Sequence, residues 1–522
     1  MLFTSLKFAG FVALALLAYY CVPKRFQSGI LLVASLVFYA SFGKRYLVAV
    51  LASAVSVYVA ANIIERIHST EKAKLLSIGK FAEKQDKQKI KKHYKALRRM
   101  VLYLCLLFNL GGLLLLKFYP LAQSAAGGLL PKINIILPVG ISFYTLQITG
   151  YLIDVYNKKV NAEKSVFKTI LFTTFFPQII EGPISRFDAL APALASEHSF
   201  DYDSFIQGLY RILWGVFKKL VLADRLSIFV IALFDSYTKY TGIILAIGAV
   251  CYTVQLYADF SGGIDIALGV SKLFGIELSE NFKRPFFSKS ISEFWRRWHI
   301  TLGTWLRDYI FYPLTLSKAM AKFGKFLSLH VNKAIGKWVP AYISLLVLWI
   351  CNGIWHGAGG QYIAFGLYHG ILIMIGMALE PVTDKLHIAL HIDKNKKLWQ
   401  IFSIIRTSAL VVIGELIFRC NSFAMAVDMI KRMFSSTGIS AIEDGALLKL
   451  GLSAAEWVVA IVAMVIVFMA SVYGRNKTVR ERIYAASVPK RFAILLAGVL
   501  AVAIFGIYGG GYDPTPFIYF NF

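Results

Sequence analysis

The stretch "LWICNGIWHGAGG", residues 348–360, places a histidine at the end of an apolar run. Burial in such surroundings penalises the cation, so His356 is expected to stay neutral, which is the form that a general base requires. Asn352 precedes it by four residues, on the same helical face, where its amide could orient the ring or a substrate carbonyl. Glycines follow at 357, 359 and 360 and would let a substrate approach closely. From the residues alone, a structural histidine bonded to a neighbouring carbonyl explains His356 equally well.

A second histidine, His299, lies within residues 280–314, a segment that combines tryptophans with arginines. Its apolar residues recur at steps of three and four, as one face of a helix: Ile291, Trp295, Trp298, Leu302 and Trp305. Arg297 and Arg307 fall largely on the other side. We therefore predict an amphipathic helix at the membrane interface, with tryptophans at headgroup depth and His299 on the wetter flank.

The carboxyl end, "GIYGGGYDPTPFIYFNF", is rich in aromatic residues. Pro514 and Pro516 exclude a regular helix there. Residues 509–522 are too apolar to remain in water, so we expect this tail to fold back into a groove of the same protein.

The elements that must position these residues are membrane helices. The 522-residue chain is 57% hydrophobic and only 16% charged, and a crossing of a core about 30 Å thick needs roughly 20 apolar residues. Candidate crossings lie at residues 8–20, 30–42, 46–64, 100–118, 133–155, 167–180, 205–222, 243–260, 338–354, 362–379, 402–418, 457–472 and 492–508. We predict an all-α, polytopic membrane protein in which about eleven to thirteen of these are transmembrane or re-entrant helices. Nothing in the composition divides the chain, so residues 1–522 are read as one membrane domain.

The net charge of +27 is concentrated in loops. Residues 66–99 hold twelve Lys or Arg against three acidic residues, and 318–337 and 475–491 are also basic. The positive-inside rule makes these loops cytoplasmic, which excludes nucleic acid as the reason for the charge. Contact with anionic membrane lipid or docking of an acidic carrier or coenzyme would give the same pattern. Residues 72–95 are predicted to be a helical hairpin or a mobile loop.

Other polar groups in apolar runs have weaker interpretations. His369 is assigned a structural role, because buried polar groups usually bond to their neighbours. Asp259 and Asp265 flank Gly262 and Gly263, which predicts a broken segment lining a polar cavity. There is no nucleotide-binding loop, no zinc motif and no nucleophile elbow, and the cysteines lack metal-ligand spacing. We expect neither a metal nor a bound cofactor.

Five segments together resemble the membrane-bound O-acyltransferases, and more narrowly the bacterial branch of alginate O-acetylation and teichoic acid D-alanyl transfer proteins. They are "LPVGISFYTLQITGYLIDVY", "FFPQIIEGPISRF", "YADFSGGIDIALG", "RPFFSKSISEFWRRWHITLGTWLRDYIFYPL" and "NGIWHG". The resemblance implies helices around a tunnel that joins a cytoplasmic donor to an extracytoplasmic acceptor.

The resemblance also implies residue roles. His356 matches the catalytic histidine of the "WHG" motif, and His299 matches the family's second functional histidine, toward the cytoplasmic entrance. Substrate-binding roles are expected for their neighbours Asn352, Trp355, Trp298, Arg297 and Arg307. "PFIYFNF" resembles a carboxyl-terminal aromatic motif whose tyrosine, here Tyr519, is proposed to carry the acyl group transiently. Aromatic packing that fills a groove is the competing explanation for Tyr519.

We therefore expect a bacterial cell-membrane enzyme that takes acetyl from cytoplasmic acetyl-CoA for O-acetylation of a cell-surface polysaccharide. A lipase-like extracytoplasmic acetyltransferase is the expected partner. The alternatives are D-alanyl transfer from an acyl carrier protein to teichoic acid and a transporter that moves the donor without chemistry.

Overall fold

A computed structural model describes residues 1–79, 83–127, 129–131, 137–475, 479–508 and 517–518. All regular secondary structure in these ranges is helical, which confirms the all-α prediction. The chain forms two compact units, one from Met1–Gly208 with Ala267–Ser279, the other from Leu209–Ile266 with Glu280–Ile518.

The first unit contains eight α-helices: α1 (Leu6–Cys21), α2 (Gln27–Ala40), α3 (Lys44–Ser77), α4 (Lys84–Leu106), α5 (Gly112–Ala125), α6 (Ile141–Tyr156), α7 (Val166–Thr174) and α8 (Phe187–Ala195). The boundaries between the units fall inside α9 (Tyr202–Val216) and α11 (Ile243–Leu273). A π-helical turn, Leu107–Gly111, joins α4 to α5.

The second unit contains α10 (Asp224–Asp235), α12 (Ile291–Arg297), α13 (Ile300–Leu306), α14 (Tyr312–Thr315), α15 (Lys318–His330), α16 (Lys333–His356), α17 (Gly360–Ala389), α18 (Lys397–Arg419), α19 (Phe423–Ser435), α20 (Ile439–Glu443), α21 (Ala454–Tyr473), α22 (Val479–Tyr484) and α23 (Val488–Phe505). Further π-helical turns, Phe217–Ala223 and Arg307–Phe311, lie before α10 and α14.

Eight helices in the described ranges are long and apolar enough to cross a membrane: α3, the continuous α4–α5, α11, α16, α17, α18, α21 and α23. Seven of them contain one of the predicted crossings, and α23 covers residues 492–505 of the crossing predicted at 492–508, so the chain is a multi-pass membrane protein. The remaining predicted crossings fall on the shorter helices α1, α2, α6, α7 and α9. The tunnel remains a prediction.

Most of the described residues of the polar segment 72–95 lie in two packed helices, which agrees with the helical hairpin that was one of its two interpretations. α3 continues to Ser77 and α4 starts at Lys84, so the polar residues extend both helices beyond their apolar parts. The buried Arg98 side chain donates to the Glu71 carboxylate, which ties the two helices together.

The single amphipathic helix predicted for residues 280–314 is wrong. α12 ends at Arg297, and His299 adopts the left-handed conformation (φ 45°, ψ 51°) before α13 begins. The preceding loop holds both sides of this break: Lys283 N donates to Arg297 O (2.9 Å) and Ile300 N donates to Asn281 O (3.1 Å). Periodicity alone contains no signal for such a long-range bond, which is why the break was missed.

The predicted break in residues 259–265 is also wrong. α11 passes through Gly262 and Gly263 without interruption. Gly262 instead lets α11 lie close to the neighbouring helix, since a Cβ there would come within 2.9 Å of Gly215 O. The small residue serves helix packing, as is common in membrane proteins.

Candidate active site

His356 is the last residue of α16, and the helix ends where the glycines of "HGAGG" begin. The start of α16 is capped by Asn332, whose side chain accepts from Ile335 N (2.8 Å). Close packing of α16 on α17 depends on small residues: a Cβ on Gly353 would lie 2.5 Å from Tyr362 O, and a Cβ on Gly366 would lie 2.3 Å from Trp349 O. These contacts fix the end of α16 against the start of α17.

Aromatic rings enclose the His356 imidazole, whose residue is 3% exposed. Its ring centroid lies 4.8 Å from Trp355, 5.0 Å from Phe418 and 5.8 Å from Phe365, with the rings close to perpendicular. The site is therefore apolar and largely closed to water, as the sequence predicted for this histidine.

His299 lies beside the same tryptophan. Its ring centroid is 5.9 Å from that of Trp355 and 4.8 Å from that of Phe260. With 2% of its surface exposed, His299 does not lie on a wet flank as predicted. The two histidines that the sequence singled out, 57 positions apart along the chain, thus both lie against the buried indole of Trp355.

Asn281, which the sequence analysis missed, positions His299. Its Oδ1 accepts from Thr301 N (2.9 Å) and Thr301 Oγ1 (2.9 Å) and lies 3.4 Å from His299 Nδ1. The backbone donor of Thr301 identifies this atom as the oxygen, so Nδ1 of His299 carries the hydrogen and Nε2 has the lone pair. Asn281 sets the tautomer of the second histidine and caps α13 at the same time.

We predict that Asn281→Ala lowers the free energy of unfolding by about 1 kcal/mol, because a helix cap is lost. It should also lower acyl transfer further than that loss explains, since His299 loses its tautomer partner. Asn332→Ala is the matched control, because it removes the cap of α16 without touching either histidine. Equal activity in the two variants, measured with stability by denaturant titration, would contradict the positioning role.

Burial lowers the pKa of His299 from 6.5 to about 3. Between those pH values the unfolded chain binds a proton at His299 that the folded protein does not bind. The contribution of the neutral His299 to the free energy of unfolding is therefore complete above pH 6.5 and falls as the pH drops toward 3. At pH 5 the loss should be about 2 kcal/mol.

This predicts that the stability difference between wild type and His299→Gln shrinks by about 2 kcal/mol when the pH is lowered from about 7.5 to about 5. Unfolding of the purified protein in detergent at both pH values measures it. His330→Gln is the control, because His330 is exposed at the end of α15. A difference that does not change with pH would show that His299 titrates normally.

The other predicted site residues differ in their burial and in their contacts. Asn352 is buried one helical turn before His356. Trp298 is buried among Tyr257, Phe282, Phe286 and Phe294 rather than at headgroup depth. Arg297 pairs with Glu293 (2.6 Å), whereas Arg307 is exposed and bonds to the adjacent Asp308 (3.0 Å). The described structure gives Arg307 no contact with either histidine.

His369 is fully buried between Trp295 and Phe365, with ring centroids at 5.0 and 4.9 Å. Within the described ranges, neither of its ring nitrogens has a hydrogen-bond partner. The hydrogen bond on which its structural role was predicted is therefore not found there.

The described part of the tail, residues 517–518, lies against a buried ionic cluster. Ile518 N donates to Asp259 Oδ2 (2.7 Å), and Lys219 Nζ lies 4.5 Å from the centre of the Phe517 ring. Lys219 itself pairs with Asp259 (2.6 Å) and Asp224 (2.9 Å). Asp259 is adjacent in α11 to Phe260, which contacts His299. Tyr519 and the rest of residues 509–522 lie outside the described residues.

No group of three or more His, Cys, Asp or Glu side chains in the described part of the chain is arranged to hold a metal ion. The polar groups at the centre of the site are instead two imidazoles and two amides, Asn352 and Asn281. Such a set can accept protons and orient carbonyl groups.

The protein class follows from a comparison with family models. Residues 74–402 match the model of the membrane-bound O-acyltransferase family, and this range includes both histidines and the loop that holds His299. The chain belongs to this family.

Individual relatives confirm the narrower resemblance. The chain is 37% identical over 319 residues to the probable alginate O-acetylase of Pseudomonas syringae pv. tomato, covering 60% of this chain and 55% of that protein. It is 28% identical over 461 residues to the peptidoglycan O-acetyltransferase of Helicobacter pylori, covering 83% and 78%. To the teichoic acid D-alanyltransferase of Bacillus subtilis it is 30% identical over 250 residues, covering 47% and 60%. The chain thus spans just over half the length of the alginate relative.

Proposed function

We propose that this protein is an acyltransferase of the bacterial cell membrane that transfers acetyl groups from cytoplasmic acetyl-CoA for O-acetylation of a cell-surface polysaccharide. The observation that carries the proposal is the convergence of His356 and His299 on Trp355 in an apolar, buried centre. The relatives named for alginate and peptidoglycan O-acetylation support the acyl group and the acceptor class.

In this proposal His356 is the general base and Tyr519 is the acyl relay. His356 takes the phenol proton while the Tyr519 oxygen attacks the thioester carbonyl of acetyl-CoA. The C–S bond then breaks, and the CoA thiolate receives the proton from the imidazolium. In the second half, a hydroxyl of the acceptor attacks the tyrosyl ester and the phenol is restored. A phenol is a better leaving group than an alkyl alcohol, so the ester is a good onward donor.

The position of residues 517–518 supports this role for the next residue in the chain. Ile518 N donates to Asp259 of α11, the helix that also contributes Phe260 to the surroundings of His299.

Donor binding is proposed for His299 with Trp298, Arg297 and Arg307, toward the cytoplasm. Asn352 and Trp355 are proposed to orient the acyl group beside His356. A lipase-like extracytoplasmic acetyltransferase would accept the acetyl group and complete transfer to the polymer. Acetyl-CoA is a substrate in this scheme, and the proposal includes no bound cofactor.

The second candidate function is D-alanyl transfer from a carrier protein to teichoic acid, favoured by the similarity to the Bacillus subtilis D-alanyltransferase. A non-catalytic transporter of the donor is the third.

One experiment separates the three. The purified chain is incubated with radiolabelled acetyl-CoA or with a carrier protein loaded with radiolabelled D-alanine, and protein-bound label is measured after denaturation. Covalent label from acetyl-CoA alone supports the proposal, label from the carrier alone supports D-alanyl transfer, and no covalent label from either contradicts an acyl relay and favours transport.

A further inference from the structure

A second candidate site is a cavity of about 1260 Å³ within the second unit, lined by neither of the two histidines. Its apolar lining includes side chains of two membrane helices: Ile466, Val467 and Ala470 of α21 and Ile494, Ala497 and Ala501 of α23. Its charged lining consists of Arg211, Lys218, Asp265, Glu280, Lys283, Arg284, Arg297, Arg475, Glu481 and Arg482. The cavity therefore has both apolar and charged walls.

Some of the cations that line the cavity are already neutralised. Arg211 bonds to Asp265 (2.8 Å) and, through both terminal nitrogens, to Glu280 (2.7 and 2.6 Å). Lys218 pairs with Asp265 (2.8 Å). These ion pairs line the cavity and need no additional anion.

Arg284 and Arg475 are different. Within the described ranges neither forms an ion pair, and the Nε of Arg284 is buried without a hydrogen-bond partner. Burial lowers the pKa of Arg284, and the nearby cations Arg297 and Arg475 lower it further. Guanidinium groups held together in this way repel one another and favour binding of an anion between them.

The backbone of Arg284 is held in the left-handed region (φ 50°), which a side chain with a Cβ rarely adopts. The same loop carries Asn281 and bonds to Arg297 O through Lys283 N. The Arg284 side chain is thus presented to the cavity by a conformation that the surrounding structure imposes.

The apolar wall has the form expected for an acyl chain. From Ile466 to Tyr473 the lining residues of α21 span seven residue steps, about 10 Å along the helix axis. α23 has no buried residue along its length, so its surface is available to lipid. A two-carbon acetyl group with a hydrophilic pantetheine arm would not cover such an apolar wall.

We propose that this cavity binds an anionic phospholipid, with its phosphate between Arg284 and Arg475 and an acyl chain between α21 and α23. The apolar wall favours a phospholipid over a water-soluble phosphate compound, because burying each CH₂ group contributes about 0.8 kcal/mol. The site uses neither histidine nor the aromatic tail, but it shares Arg297 with the residues proposed to bind the donor.

The test is lipid binding to the purified full-length chain in detergent, measured by native mass spectrometry. Phosphatidylglycerol is titrated against phosphatidylcholine with the same acyl chains. Wild type should bind phosphatidylglycerol more tightly, and Arg284→Gln with Arg475→Gln should weaken that binding roughly tenfold or more, because charge-assisted hydrogen bonds are lost. Arg296→Gln is the matched control: it is one residue from Arg297 but is exposed, bonds to Ser292 and does not line the cavity.

A second pair of changes tests the acyl chain. Ala470→Trp with Ala501→Trp fills the space along the apolar wall and should weaken phosphatidylglycerol binding while leaving the cations in place. Melting temperatures confirm that each variant is folded, and if the tryptophan variant is not, the arginine variant decides. Equal binding of both lipids by wild type would overturn the proposal. Competition by coenzyme A or inorganic phosphate would also overturn it if the tryptophan substitutions left that competition unchanged. The ligand would then be a water-soluble phosphate compound.

Discussion

Replacing His356 with Gln should lower acyl transfer by roughly a hundred- to ten-thousand-fold, which is the usual contribution of a general base. Glutamine has a similar volume and can still donate a hydrogen bond, but it cannot take a proton from a phenol. The rings of Trp355, Phe365 and Phe418 would continue to pack around it, so the fold should be retained. The measurement is the rate of acetyl release from acetyl-CoA by purified protein.

His330→Gln provides the matched control for this change, because it is the same substitution at an exposed histidine of the same unit. It should retain the wild-type rate. Donor binding should change little in His356→Gln, because the base acts in the chemical step. If the variant keeps more than about a tenth of the wild-type rate, His356 is not the base.

The second large effect concerns the acyl relay. Tyr519→Phe removes one oxygen and keeps the aromatic ring, so it separates chemistry from packing. We expect it to abolish covalent labelling from acetyl-CoA and to stop O-acetylation of the polymer in cells. Mass spectrometry of the carboxyl-terminal peptide should find the acetyl group on Tyr519 in the wild-type protein.

Tyr508→Phe is the control for this experiment. Tyr508 lies just after α23, is about half exposed and bonds to Ala503 O of its own helix. It should label normally. Normal polymer acetylation by Tyr519→Phe would leave aromatic packing as the function of the tail, and the transfer from donor to acceptor would then be direct.

Several properties of this protein could be predicted from the sequence because they are local. The eight long apolar helices of the described residues follow from runs of apolar residues, whereas for the polar residues 72–95 the sequence allowed a hairpin as well as a mobile loop. The "WHG" motif was enough to single out His356, because a histidine in an apolar run is chemically unusual wherever the run is placed.

The surroundings of His299 were decided by tertiary structure alone. Its periodic neighbours predicted an exposed flank of one helix, but the bond from Ile300 N to Asn281 O breaks that helix and turns the imidazole inward. Asn281 is separated from His299 by 18 positions and stands in no motif that sequence analysis could recognise. Burial of this histidine and choice of its tautomer therefore depend on a contact that exists only in the folded chain.

The same distinction holds for the rest of the molecule. Composition and periodicity determined that the chain is helical and crosses a membrane, since both depend on the free energy of transferring short segments out of water. The meeting of His299 with Trp355, the bond from Ile518 to Asp259 and the grouping of Arg284 with Arg475 join residues that are far apart in sequence. Only packing of the helices brings such residues together, because hydrophobic periodicity specifies which face of a helix is buried but not which neighbour covers it.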